Sequence, residues 1–315
     1  MTARPVHDAR ARVAPYLDPT PLRPALGLDP TGGLTLKLES FQPTGSFKVR
    51  GAFSRLTALD ADRRASGVVA ASTGNHGAAV AYAARRLGIE ARVVVPVPTP
   101  DGRVRAIQRF GASVTSAGAE CGASEVEARR VADATGATFV SPYNDPQVMQ
   151  GQGTLALELA DQAPDCTRLY VAVGGGGLVG GICLGLGELG RAVEVVGCSP
   201  AASCPMEAAV RAGRVVDVPH AETLSLATAG ALEEGTVTLE PCTQGVHRWV
   251  RIGEDRIAAS LRRLYAEERI LAEGAVGVAL AAWEDDPERG PDDRCCVVVC
   301  GGNLDPEHLF HLLPS

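Results

Sequence analysis

The chain has 315 residues, carries a formal net charge of −7, and is 45% hydrophobic and 21% charged. These proportions exclude a disordered chain, and the acidic balance argues against nucleic acid as a partner. No apolar run approaches the roughly 20 residues that cross a bilayer. Residues 1–12 lack an apolar stretch of signal-peptide length, so we expect a cytoplasmic protein with reduced cysteines.

Apolar runs alternate with helical patterns along the chain, which predicts an α/β fold with parallel sheets. In the block 60–143 we predict strands at Gly67–Ser72, Ala91–Val97, Ala112–Ser116 and Ala137–Ser141, and helices at Gly77–Leu87, Arg103–Phe110 and Ser124–Thr135. Further on we predict helices at Gln152–Ala160, Leu178–Leu189, Asp255–Tyr265 and Glu273–Trp283, and strands at Leu169–Val173, Ala192–Cys198 and Cys295–Val299. Periodicity is least informative between 200 and 250.

Lys48 lies in the segment Gln42–Gly51, flanked by apolar or small residues on both sides. Two interpretations stay open from the residues alone. The lysine stem packs while its head reaches water, as most lysines do, or the amine is desolvated, with a lowered pKa, and forms a Schiff base.

The segment Ser72–Gly77 stands where a predicted strand turns into a predicted helix. Backbone N–H groups at such a helix N-terminus bind anions, and Gly74 and Gly77 allow a ligand to approach closely. The alternative is an ordinary helix cap by a polar side chain. His76 by itself is more typical of a structural histidine than of a catalyst.

The run Gly174–Gly177 also follows a predicted strand and precedes a helix, an arrangement suited to a phosphate group. The spacing matches the dinucleotide pattern G-x-G-x-x-G, which is weak evidence when it stands alone. A ribose-binding acid is expected at the end of the next strand, where the chain has Cys198 and Ser199 instead. The run therefore favours a phosphate monoester over a dinucleotide.

Cys300 ends the last predicted strand and is followed by Gly301 and Gly302. Ligands of open α/β sheets bind beyond the carboxyl ends of strands, although an isolated cysteine there is more often a small buried apolar residue. Together with a lysine, a phosphate loop and an anion loop, it indicates pyridoxal 5'-phosphate and an amino-acid substrate.

These motifs, in this order from Thr20-Pro21-Leu22 to Asn303, resemble the fold-type II pyridoxal-phosphate enzymes, in the branch of threonine/serine dehydratases and serine racemase. The resemblance implies two open parallel-sheet α/β domains of the tryptophan synthase β-like architecture. It places the large cofactor-binding domain at 1–58 and 144–315 and the small substrate-loop domain at 59–143. It also implies a homodimer.

The same resemblance implies a role for individual residues. Lys48 becomes the Schiff-base lysine, and Asn75 the partner of the ring 3-hydroxyl. Cys300 lies at the pyridine nitrogen. The loop that takes the substrate carboxylate comprises Ser72, Thr73, Gly74, Asn75 and His76, and the phosphate site comprises Gly174, Gly175, Gly176, Gly177 and Leu178.

The sequence departs from its family at several positions. Ser199 and Pro205 stand where many racemase relatives have acidic metal ligands, so we expect no metal site there. Thr73 replaces the serine that serves racemases as second acid/base. Leu226-Ala227 replaces a usual Asp-Gly pair, which bears on the identity of the substrate.

We therefore expect a lyase that carries out pyridoxal-phosphate-dependent β-elimination on a β-hydroxy amino acid such as threonine or serine, giving a 2-oxo acid and ammonia. Lys48 is the expected base. Two alternatives stay open: a β-replacement synthase, and an amino-acid racemase or epimerase that uses Thr73.

Overall fold

The computed structural model describes residues 4–304 and contains two sheets flanked by helices. Its helices are α1 Pro5–Val13, α2 Lys48–Thr57, α3 Ala61–Ala65, α4 Asn75–Leu87, α5 Asp101–Gln108, α6 Cys121–Thr135, α7 Pro146–Gln162, α8 Gly177–Leu189, α9 Pro205–Ala212, α10 Leu239–Gly245, α11 Glu254–Glu268 and α12 Gly274–Glu284. Its strands are β1 Leu22–Pro24, β2 Leu34–Leu38, β3 Val68–Ala71, β4 Ala91–Val95, β5 Ser113–Ser116, β6 Thr138–Phe139, β7 Arg168–Ala172, β8 Glu194–Pro200, β9 Arg248–Ile252 and β10 Cys295–Val299.

The larger sheet has six strands in the order β1-β2-β10-β7-β8-β9, and the smaller has four in the order β5-β4-β3-β6. All pairings are parallel except that of β1 with β2. This confirms the predicted fold class. The strands of the smaller sheet all come from within 59–143, while the exact domain boundaries stay a prediction.

Most predicted elements occur, but several have other bounds. The strand predicted at Ala137–Ser141 is reduced to two residues, and the helix predicted at Gln152–Ala160 begins already at Pro146. Asp145 explains that early start, because its side chain accepts hydrogen bonds from the backbone amides of Gln147 and Val148 and so caps the helix.

Strand β2 has no periodic signal because it contains a charged residue that is completely buried. Lys37 is 0% exposed, and its amine lies 2.6 Å from the carboxylate of Glu158 on α7. A charge in the interior is tolerated only when it is paired, and the partner lies 121 residues away in sequence. The folded structure is therefore needed to see that Glu158 compensates the buried charge of Lys37.

The topology brings the ends of four elements together. Strand β10 ends beside the start of α2, because the backbone N–H of Phe47 donates to the carbonyl of Cys300 at 3.0 Å. Strand β7 runs into the glycine run before α8, and β3 runs into the loop before α4. Within residues 4–304, no helix combines the length and apolar character needed to cross a bilayer.

Candidate active site

Lys48 is the first residue of α2, and its amine donates to the carbonyl of Pro142 at 2.8 Å. Desolvation lowers its pKa to about 8, against the opposing influence of the negative forms of Glu273 and Cys300. The half-buried lysine is thus held by a backbone carbonyl and its amine has a lowered pKa, as the second interpretation requires, while the Schiff base itself stays a prediction.

The chain has only one other lysine, Lys37. Its amine is already held by the carbonyl of Thr20, the carboxylate of Glu158 and the side-chain oxygen of Gln162, at 2.6–2.8 Å. A carbonyl compound that forms a covalent bond with a lysine of the folded protein therefore has Lys48 as its one accessible choice.

The loop from Ser72 to Gly74 leads into α4, and the Ser72 hydroxyl accepts a hydrogen bond from the Gly74 backbone amide at 3.2 Å. The Asn75 side chain donates to Glu273 at 2.8 Å and accepts from Asn303 at 2.7 Å. The first N–H groups of a helix lack partners within it, so this loop offers them to an anion.

His76 is the second residue of α4, and its side chain is engaged by the backbone elsewhere. Its Nε2 is paired with the carbonyl of Val140 at 2.8 Å, and burial lowers its pKa to about 3. The imidazole is therefore neutral at ordinary pH and donates to that carbonyl. Any contact of His76 with a substrate would come through its backbone N–H, and its predicted binding role stays a prediction.

The glycine run is packed too tightly to accept side chains. A Cβ on Gly174 would lie 2.8 Å from the Thr228 backbone, and one on Gly175 would lie 2.5 Å from the Tyr143 ring. Gly176 has a φ of +79°, in the left-handed region that glycine adopts without strain. The run brings its backbone to the N-terminus of α8, where Leu178 is the second helical residue.

Cys300 lies just beyond β10 and is 3% exposed. Its thiol faces a carboxylate oxygen of Glu273, with an Sγ–Oε1 distance of 3.8 Å. Burial raises the thiol's pKa well above 9, and the neighbouring carboxylate raises it further. The thiol is therefore protonated at neutral pH.

Residues 224–238, which we call the covering segment, lie over the glycine run. The hydroxyl of Thr238 donates to the carbonyl of Gly175 at 2.8 Å, and the backbone amide of Glu233 donates to the Tyr143 hydroxyl at 2.8 Å. Periodicity did not detect this segment. Leu226, where the family usually has Asp, is 49% exposed.

Ser199 is buried, and its hydroxyl donates to the carbonyl of Val173 at 3.2 Å, while Pro205 begins α9. Among residues 4–304, no group of three or more histidine, cysteine or acidic side chains is arranged to hold a metal ion. Metal independence of the protein stays a prediction.

Comparison with known proteins adds independent findings to this geometry. The sequence profile of the family described as "Pyridoxal-phosphate dependent enzyme" matches residues 13–301. This chain belongs to that family. It is 37% identical to the L-threonine ammonia-lyase of Thermotoga maritima over 90% of this chain and 70% of that protein.

Two serine racemases are similar over almost the whole chain. That of Oryza sativa subsp. indica is 31% identical over 98% of this chain and 92% of its own length. The solved structure of maize serine racemase superposes with a TM-score of 0.91 at 29% identity, covering 98% of this chain and 95% of the other. The family is thus shared by lyases and racemases, and the cofactor is pyridoxal phosphate.

The residues present suit that cofactor. The carbonyl of Pro142 accepts from the amine of Lys48, and the next residue, Tyr143, packs on Gly175, so one short segment contacts both the lysine and the glycine run. Glu273 contacts both Asn75 and Cys300. An aldehyde, a phosphate and a pyridine ring require an amine, an anion site and neutral polar neighbours, and these are the groups brought together here.

Proposed function

We propose that this protein is a pyridoxal-phosphate-dependent ammonia-lyase that converts a β-hydroxy amino acid such as threonine or serine into a 2-oxo acid and ammonia. The observation that carries the proposal is the position of Lys48 at the start of α2, where its amine lies 2.8 Å from the carbonyl of Pro142 and beside the segment that packs on the glycine run. Desolvation, which lowers the pKa of this amine, favours its use as a base. Similarity to the Thermotoga maritima L-threonine ammonia-lyase supports the same reaction class.

In this proposal Lys48 binds the cofactor aldehyde, Asn75 faces the ring hydroxyl, and Cys300 faces the ring nitrogen. Gly174–Gly177 and Leu178 hold the phosphate through backbone N–H groups at the α8 N-terminus. When bound, the cofactor withdraws electrons from the α-carbon of the amino acid and so acidifies its α-hydrogen.

The chain's own residues then perform three tasks. Ser72, Thr73, Gly74, Asn75 and His76 present their loop to the substrate carboxylate and orient the α-carbon. The Lys48 amine accepts the α-proton. The covering segment lies over the glycine run, where Thr238 donates to the carbonyl of Gly175. The β-hydroxyl takes up a proton and leaves as water, and the released enamine tautomerises to an imine that water hydrolyses to a 2-oxo acid and ammonia.

Racemisation is the second candidate, because it needs an acid on the face opposite Lys48 and Thr73 carries a hydroxyl. Arg103 on α5 donates to the Thr73 Oγ1 at 3.4 Å. This contact engages the hydroxyl from the α5 side, and the β-branch of threonine restricts its rotamers. Elimination makes no demand on Thr73, which favours it as the main reaction.

Two experiments test the proposal. Borohydride reduction of the holoenzyme followed by peptide mapping should label Lys48; a label on Lys37, the other lysine, would contradict the assignment. Incubation with L-threonine or L-serine in D₂O should release oxo acid faster than it produces the α-deuterated enantiomer or epimer. Faster inversion on every substrate would instead identify a racemase.

We also propose a cytoplasmic homodimer. All nine cysteines lie within the described residues and none is in a disulfide, which suits a reducing compartment. Several large apolar side chains are 43–67% exposed, and a second copy of the chain would cover them: Leu26, Phe41, Tyr265 and Leu271. Light scattering should give a mass of twice 32.6 kDa; a monomeric mass would contradict the proposal.

A further inference from the structure

Glu273 is a buried acidic residue of the candidate site to which the sequence drew no attention. It is 6% exposed and occupies the N-cap position of α12, yet its side chain makes no capping hydrogen bond. One carboxylate oxygen accepts from the Asn75 amide at 2.8 Å, and the other faces the Cys300 thiol. The carboxylate is therefore directed toward Asn75 and Cys300 instead of toward its own helix.

The Asn75 amide is held from both sides. Asn303 donates to its oxygen at 2.7 Å and also to the carbonyl of Thr44 at 2.8 Å, while Glu273 accepts from its nitrogen. Because one neighbour donates and the other accepts, only one of the two amide orientations satisfies both. An asparagine amide has two N–H donors, and Glu273 uses one of them.

We propose that Glu273 is a positioning residue that fixes the orientation of the Asn75 amide and so directs its second N–H to the phenolic oxygen of the cofactor ring. The inference rests on the role proposed above for Asn75. A hydrogen-bond donor held against that oxygen stabilises its ionised form. Glu273 then sets the electronic state of the bound cofactor without touching the substrate.

Two titratable groups face Glu273: Lys48 from α2 and Cys300 from the end of β10. Loss of the Glu273 charge affects the pKa values of Lys48 and Cys300, whereas loss of its acceptor oxygen affects the orientation of the Asn75 amide. Glu273→Gln removes the charge but keeps an oxygen that accepts from Asn75. Glu273→Ala removes both, so the pair separates orientation from charge.

A matched control exists on the same helix. Glu284 ends α12, and its carboxylate is also mostly buried, but it pairs with Arg256, Arg263 and Ser260, away from the pocket. Glu284→Gln therefore reports what the loss of a buried charge on this helix does to folding alone.

The experiment measures pyridoxal-phosphate affinity of the apoenzyme and the pH dependence of the visible absorption band of the holoenzyme. Glu273→Gln should bind the cofactor within about threefold of wild type. Glu273→Ala should bind it about tenfold or more weakly and shift the band's pH midpoint, because a buried donor loses its acceptor. Glu284→Gln should leave both measurements unchanged.

Wild-type affinity and an unshifted band in Glu273→Ala would overturn the proposal. So would equal disturbance by Gln and Ala, since that result assigns the effect to charge. If Glu273→Ala does not fold, Asn303→Ala tests the same orientation from the opposite side and should reproduce the shift. If wild-type protein mixed with pyridoxal phosphate shows no visible band, the proposed function itself is refuted. That result differs from every variant outcome described above.

Discussion

At the scale of single residues, the proposed role of the Lys48 amine can be tested through its pKa. With a pKa of about 8 instead of the ordinary 10.5, half of the amine is neutral at pH 8. Only the neutral amine attacks an aldehyde. The rate at which apoenzyme binds pyridoxal phosphate covalently should therefore rise about tenfold per pH unit below pH 8 and level off above it.

Stopped-flow absorbance between about pH 6.5 and pH 10 measures this rate, with a free lysine derivative as the control amine. The control should keep rising through the range where the protein has already reached its plateau. A protein profile that follows the control would show that Lys48 is solvated and would contradict the pocket described here.

Cys300 supports a second prediction at this scale. Its thiol stays protonated because burial and Glu273 raise its pKa. Cys300→Ser keeps a small neutral group and should retain cofactor affinity and the visible spectrum. Cys300→Asp places a second carboxyl beside Glu273, and two such groups cannot both ionise easily.

We therefore expect the Cys300→Asp spectrum to acquire a new pH-dependent transition, recorded by titrating the holoenzyme. Identical titrations for the Ser and Asp variants would show that position 300 does not face the cofactor ring.

The sequence revealed Lys48 and the glycine run because each is unusual in its local setting. It did not reveal Glu273, since an acidic residue just before a helix is ordinary and favourable to the helix dipole. What distinguishes Glu273 is burial against Asn75 and Cys300, which are 198 and 27 residues away in sequence. Such a contact is a property of the fold and leaves no local pattern.

At the scale of elements, the covering segment, residues 224–238, contacts α6 and the residues just before α7. Glu233 pairs with Arg129 on α6 at 2.7 Å and accepts from Asn144 at 3.0 Å. Arg129 is 43% exposed, and exposed ion pairs contribute little to stability, about 0–1 kcal/mol. We therefore expect the Arg129–Glu233 pair to hold the covering segment over the glycine run and to contribute little to the free energy of unfolding.

Arg129→Ala should shift the melting temperature little but accelerate release of the cofactor phosphate from the glycine run. Dissociation of pyridoxal phosphate into an excess of a scavenging apoprotein measures this rate. Arg130→Ala is the control, because the adjacent Arg130 pairs with Glu127 on its own helix. Equal dissociation rates in both variants would mean that the covering segment does not depend on this contact.

The irregular course of the covering segment explains why periodicity fails there. It has neither a helical nor a strand repeat, and its contacts include hydrogen bonds to Tyr143, Asn144 and Gly175, which are distant in sequence. The strands and helices around it were predictable in kind because their apolar faces repeat at fixed spacing. Their ends were less predictable, because side chains such as that of Asp145 determine them.

At the scale of the whole molecule, α2 joins the two sheets. Val49, Phe53 and Leu56 pack in the core of the smaller sheet. Arg50, on the same helix, binds Glu39 after β2 at 2.7 Å and Glu158 on α7 at 2.5 Å. Lys48 thus begins a helix that is fixed to both sheets.

Arg50 is 1% exposed and Glu39 is 0% exposed, so this ion pair is insulated from water. Arg50→Ala leaves Glu39 buried without its main partner, and breaking such a pair costs about 3–5 kcal/mol. We expect that loss in the unfolding free energy measured by urea denaturation. Arg63→Ala, which removes an exposed partner of Asp60, should cost less than about 1 kcal/mol.

The double variant Glu39→Gln, Arg50→Met removes both charges of the pair and leaves Lys37 bound to Glu158. Replacement of a buried ion pair by neutral groups of similar volume is often close to neutral in stability. The double variant should therefore recover much of the stability that Arg50→Ala loses. Because α2 carries Lys48 two residues before Arg50, Arg50→Ala should also weaken cofactor binding, whereas the double variant should bind more tightly than Arg50→Ala. If Arg50→Ala unfolds at the wild-type urea concentration, the apolar face alone holds the helix and the ion pair does not fix the position of Lys48.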